Sequence, residues 1–149
     1  MRVRIEAPYD RIFDLAADIE RWPEILPHYR YVRRVGGAET PDERRFAMGA
    51  RRGRIPVSWE ATQRPLRAQR RIEFHHTGGV TRGMDVAWRF DLVPDAGRET
   101  WDVSIEHELD LRWPVIGRFA ADRVIGPHFI DAIAGRTLRR IRAIAESAS

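Results

Sequence analysis

The chain has 149 residues, of which 43% are hydrophobic and 32% charged, a globular balance long enough for one sizeable core. It has no cysteine, which excludes disulfide scaffolds, thiolate metal sites and cysteine nucleophiles. With a net charge of only +4, no apolar segment of spanning length and no apolar stretch after Met1-Arg2-Val3-Arg4-Ile5-Glu6, the expectation is a soluble, cytoplasmic single domain over residues 1–149.

A short strand at 3–6 leads into Ala7-Pro8, with proline suited to the first turn of a helix. Ile12, Phe13, Leu15, Ala16 and Ile19 recur at helical spacing, with Asp10, Asp14 and Asp18 opposite. Trp22-Pro23 interrupts this run, and a second short helical turn is expected at 24–26 before Pro27. The middle of the chain then alternates between strand patterns and turn signals. Strands are expected at 29–35, 45–52, 54–63, 69–76, 82–93 and 99–111, separated by Gly36-Gly37, Gly53, Arg64-Pro65, Gly78-Gly79 and Pro94-Asp95-Ala96-Gly97. Connections this short suit antiparallel hairpins.

The last of these strands has the clearest pattern. Trp101, Val103, Ile105, His107, Leu109 and Leu111 alternate with Asp102, Ser104, Glu106, Glu108 and Asp110, so one face is apolar and the other solvated. Met84, Val86, Trp88, Phe90 and Leu92 repeat that pattern, as do Ile55, Val57, Trp59, Ala61 and Gln63, and Ile72, Phe74 and His76. A sheet this one-sided needs a cover. The cover is the C-terminal segment from Pro127, where Ile130, Ile133, Ala134, Thr137, Leu138, Ile141, Ile144 and Ala145 form one stripe. A further helix is expected at 114–125, broken at Gly126-Pro127. The expected fold is α+β, with a curved seven-stranded antiparallel sheet gripping a long C-terminal helix and two short helices after the first strand.

All 26 basic residues are arginine. Nine of them (Arg44, Arg45, Arg51, Arg52, Arg54, Arg64, Arg67, Arg70 and Arg71) fall in residues 44–71 against the single acid Glu60. This patch reads either as a solvated sheet face or as a docking surface for an acidic carrier protein or an anionic membrane. Nucleic acid is not expected, because the aromatics that would stack bases face inward.

Catalytic signatures are absent: no G-x-S-x-G, no phosphate-cradling glycine loop, no H-E-x-x-H. His75 and His76 are neighbours in a strand and point to opposite faces, so no metal and no cofactor is expected. The informative residues are polar ones on the inner face: His107, Gln63 and His76. Each is either satisfied by a core neighbour or partnered by water or a ligand in a cavity. His107 could also act as a general acid or base. Trp59, Trp88 and Trp101, with Met48 and Met84 beside them, read as core filler or as the wall of a pocket for a flat apolar ligand.

The stretch Ile5-Glu6-Ala7-Pro8 through Ile12-Phe13-Asp14-Leu15 to Asp18-Ile19-Glu20-Arg21-Trp22-Pro23-Glu24, together with Trp88-Arg89-Phe90 and Thr137-Leu138, resembles the START-like (SRPBCC) helix-grip superfamily. The resemblance is nearest to its polyketide cyclase/dehydrase and coenzyme Q-binding branch. It implies a hydrophobic small-molecule ligand, aromatic or polycyclic, in an internal cavity, with cyclase/dehydrase-like chemistry. By position, Trp22, Tyr29, Trp59 and Trp88 resemble the cavity aromatics of the cyclases, and His107 stands where they carry another polar side chain. Their inward arginine is replaced by Gln63, with Arg64 turned outward by the strand period, and their inward serine by Ala61. His107, Gln63 and Tyr29 are the candidate catalytic side chains. Trp22, Met48, Trp59, His76, Met84, Trp88, Phe90 and Ile105 are the candidate ligand contacts. The coenzyme Q-binding members are similar in Leu26-Pro27 and in Trp113-Pro114-Val115-Ile116-Gly117-Arg118-Phe119, which implies as an alternative a non-catalytic lipid or quinone carrier with a lid at that segment.

Overall fold

The structure, a computed structural model, describes residues 1–36, 42–79, 81–108 and 127–147. The expected helix at 114–125, the apolar lid segment at 113–125, Leu109, Leu111 and the side chains of Arg52 and Ile130 lie outside the described residues. Strand β1 (Arg2–Glu6) is followed by α1 (Tyr9–Ala17), a single 3-10 turn (Ile19–Arg21) and α2 (Trp22–Ile25). Six strands come next: β2 (Tyr29–Arg34), β3 (Arg44–Arg52), β4 (Ile55–Leu66), β5 (Arg71–Gly79), β6 (Asp85–Leu92) and β7 (Thr100–Glu108). Helix α3 (Pro127–Ser147) ends the described chain.

The seven strands form one antiparallel sheet in the order β1-β7-β6-β5-β4-β3-β2. Consecutive strands pair through hairpins, and β1 closes against β7 because the helical insertion carries the chain across to the far edge. Helix α3 lays Ala134, Thr137, Leu138, Ile141 and Ala145 on the sheet's inner face and leaves Arg136, Arg139, Arg140 and Arg142 in solvent. Two contacts fix its far end: Arg11 Nη1 donates to the Ala145 carbonyl at 3.0 Å and Arg140 Nε to the Ile25 carbonyl at 3.0 Å. The first satisfies a terminal carbonyl that has no partner within the helix.

Two strands run further than their turn signals indicate. Strand β4 continues through Pro65 to Leu66. The reason lies in the register: β3 begins only at Arg44, opposite Gln63. Beyond Gln63, β4 has a neighbour only on the β5 side, so proline's missing N–H breaks no ladder bond. Strand β5 continues through Gly78 to Gly79, which pairs with Trp59 across a register shift at Glu60/Ala61. Gly79 has φ +85°, and a Cβ there would lie 2.6 Å from the Ser58 carbonyl oxygen and 2.7 Å from the Trp59 Cα. Only glycine fits there, two residues past the unpaired Thr77, and the close approach presses β5 against the backbone that carries Trp59.

The core has two ends. Where β4 finishes and β5 starts, it is solid: Tyr9, Phe13, Phe90 and Trp101 meet ring to ring, with centroids 4.8–5.8 Å apart, and Ile72, Val103 and Ile141 are fully buried. At the opposite end the sheet and α3 diverge around a hollow.

Candidate functional site

The hollow has a volume of about 90 Å³. Alternating positions on the strands build its walls: Tyr29, Met48, Val57 and Trp59, Phe74 and His76, Val86 and Trp88, and Ile105 and His107. Trp22 from α2, Thr81 and Met84 from the β5–β6 turn, and Ile133, Ala134 and Thr137 from α3 complete it. The strand period of two accounts for the selection, since each contributing strand offers every second residue.

An aromatic chain runs from the solid end into this space. Phe90 stacks on Trp88 at 6.4 Å, Trp88 meets Trp22 at 6.0 Å, Trp22 meets Tyr29 at 4.9 Å, and Tyr29 meets Trp59 at 6.2 Å. His76 completes it, stacked on Trp59 at 5.8 Å with only 10° between the planes. The Trp22 indole donates to the Leu15 carbonyl at 3.0 Å, which holds the ring edge-on to α1.

The polar groups around the hollow are uncharged. The His76 Nδ1 lies 2.5 Å from the Thr81 hydroxyl, and burial pushes this imidazole down to about 3, with His107 and His75 acting in the same direction. Burial lowers His107 as well, against the pull of Asp131. Burial raises Tyr29 above the ordinary phenol range, so its hydroxyl keeps its proton. Behind the wall, His28 Nε2 lies 2.9 Å from Thr137 Oγ1, whose own proton goes to the Ile133 carbonyl at 2.8 Å. Burial, with Arg136 nearby, pushes His28 down to about 4. No arginine and no carboxylate lines the hollow among the described residues. A neutral imidazole can donate or accept a hydrogen bond and a phenol can donate one, so the arrangement suits a neutral, flat ligand bearing oxygen.

Nine of the eleven expected site residues come together here: Trp22, Tyr29, Met48, Trp59, His76, Met84, Trp88, Ile105 and His107. Two stand elsewhere. Phe90 lies one pleat repeat beyond Trp88 toward the solid end, where Tyr9 and Phe13 cover it. Gln63 points inward and is fully buried, but its Nε2 donates to the Ala17 carbonyl at 2.9 Å and so clamps the end of α1 to β4. Arg64 turns outward toward Glu73, which leaves the hollow without a guanidinium at that position. Val57, Phe74, Val86 and Thr137 were legible from sequence as inward residues but not as lining. Thr81, in a turn, carried no signal at all.

Among the described residues, four of the nine arginines of the patch form ion pairs, three of them with acids from outside the segment. Arg45 pairs with Glu60, Arg64 and Arg71 with Glu73, and Arg67 with Asp10 and Asp14 of α1. Arg67 and Arg70 also lie over the rings of Phe13 and Trp101. His75, on the outer face, pairs with Asp85 at 2.6 Å.

Comparisons with known proteins give the family and the fold. A family described as polyketide cyclase / dehydrase and lipid transport matches residues 5–131. A putative polyketide cyclase of Streptomyces cyaneus is 26% identical over 104 residues, 66% of each chain, so this chain spans just under two thirds of that relative. Among solved structures, TTHA0849 from Thermus thermophilus aligns over 100% of this chain and 97% of its own, with a TM-score of 0.67 at 19% identity. The Zhui aromatase/cyclase from a Streptomyces species aligns over 100% and 96%, with a TM-score of 0.67 at 16% identity. A START superfamily protein from Mycobacterium smegmatis aligns over 100% and 97%, with a TM-score of 0.64 at 16% identity. Sheet order, gripped helix and a family match over most of the length agree: the chain belongs to the polyketide cyclase/dehydrase and lipid transport family and has its START-like helix-grip fold.

Proposed function

We propose that the hollow binds a bulky, neutral aromatic small molecule of polyketide type. The observation that carries this reading is an aromatic wall whose polar groups, His76, His107, Tyr29 and Thr137, are all uncharged. Neutral rings gain from stacking and burial, whereas an ionic ligand would enter with no counter-charge among the described lining residues. The family match supports the substrate class, and the Streptomyces aromatase/cyclase neighbour supports ring-forming chemistry as its use. In that use, His107 is the group able to take a proton from an activated carbon, and the Tyr29 hydroxyl is the donor toward a carbonyl oxygen. Without an arginine at the position of Gln63, dehydration has no guanidinium to supply a proton.

The test is tryptophan fluorescence titration of the full chain with three-ring aromatic ketones and phenols, joined to native mass spectrometry of gently purified protein. Saturable quenching of Trp59 and Trp88, or a co-purified aromatic mass, is the expected result. Absence of both removes the proposal. Non-catalytic carriage of a lipid or quinone is favoured by the same lack of a lining guanidinium, and transfer of a quinone between vesicles without chemical change would select it.

A further inference from the structure

Some polar groups around the hollow already have partners. The Trp22 indole bonds to Leu15, and the Thr137 hydroxyl to Ile133 and His28. His76 differs. It is only 6% exposed. The Thr81 hydroxyl holds its Nδ1, and Trp59 holds one ring face. Its Nε2 has no partner among the described residues, and the residue lines the hollow. A buried nitrogen fixed in this way is satisfied only by what enters the space. A Thr81 hydroxyl that gives its proton to Nδ1 leaves the ring proton on Nε2.

We infer that His76 is the specificity-determining residue of the hollow: its Nε2–H donates to a carbonyl or hydroxyl oxygen on the rim of an aromatic ring system and selects oxygenated rings over bare hydrocarbons. Thr81 is the positioning residue that sets the tautomer. This inference rests on the reading of the hollow as a ligand site, and the experiment separates the two. The full chain is titrated with α-tetralone and with tetralin, which share a two-ring skeleton and differ by one carbonyl.

The wild type is expected to bind the ketone about 2- to 10-fold more tightly, the range of one net hydrogen bond. In His76→Phe, which keeps a ring against Trp59, that preference is expected to vanish, the two compounds binding alike. Equal binding of both compounds by the wild type overturns this inference and leaves the ligand site standing; binding of neither overturns both. Should His76→Phe fail to fold, long-range proton–nitrogen NMR of the wild type decides. The expected spectrum shows an Nε2–H tautomer for His76, with a resonance that moves on adding tetralone but not tetralin. An Nδ1–H tautomer, or an Nε2 resonance blind to the ketone, overturns the inference. Thr81→Val is expected to weaken the ketone preference and shift the tautomer balance, which a purely structural threonine would not do.

Discussion

At the scale of single residues, burial decides protonation. His28 and His76 are 5% and 6% exposed and are pushed down to about 4 and about 3. In the unfolded chain each titrates near 6.5. Below that pH the unfolded chain takes up protons that the folded chain refuses. Stability from these two groups is therefore complete above pH ~6.5 and lost as pH falls. By pH 5 the loss reaches up to about 2 kcal/mol per histidine, before most carboxylates titrate. Urea unfolding at pH 7 and pH 5 should show the drop, and the double variant His28→Gln/His76→Gln should show a flatter profile; a wild-type profile flat over that range would contradict the assignment. Gln63 gives the second prediction. Gln63→Leu removes the donor to the Ala17 carbonyl and is expected to cost about 1–3 kcal/mol in chemical denaturation with no change in ligand affinity. A selective loss of binding would return Gln63 to the site. The inward direction of Gln63, His76 and His107 was legible from alternation alone. Which of them faces open space was not, because that depends on where α1 and α3 cross the sheet.

At the scale of elements, period-two patterning carried most of the information, and its failures have local causes. The strand pattern placed the walls of the hollow, and the helical stripe placed Ala134 and Thr137 against them. The turn signals alone end β4 at Gln63, before Arg64-Pro65, and β5 at His76, before Gly78-Gly79, because each pair is an ordinary breaker. Pro65 is tolerated where β3 no longer reaches, and Gly79 pairs closely with Trp59, facts of register that appear only once strands are paired. That close approach is testable. Gly79→Ala would place a methyl group against the Ser58 carbonyl at φ +85°, with an expected cost of about 1–3 kcal/mol and a changed environment for Trp59. Denaturant unfolding and the tryptophan fluorescence maximum together check it; an alanine variant as stable as the wild type would mean that the strand pair relaxes freely.

For the whole molecule, charge and hollow are separate systems. The basic patch reads as a surface when residues 44–71 are counted along the chain, but Asp10, Asp14 and Glu73 reach it only through folding. With no ion in the described lining, affinity for a neutral aromatic should stay constant between low and high salt, since screening acts on exposed charges. A steep salt dependence in the same titration would point to an ionic contact and count against the neutral ligand. The solid end and the hollow end share the same strands yet hold different duties. Phe13, Phe90, Trp101 and Ile72 anchor the fold in one half, which frees Val57, Phe74, Val86 and Ile105 in the other to vary. A library confined to those four positions should yield folded proteins with altered tastes, a chuck that takes new bits while its shaft stays untouched.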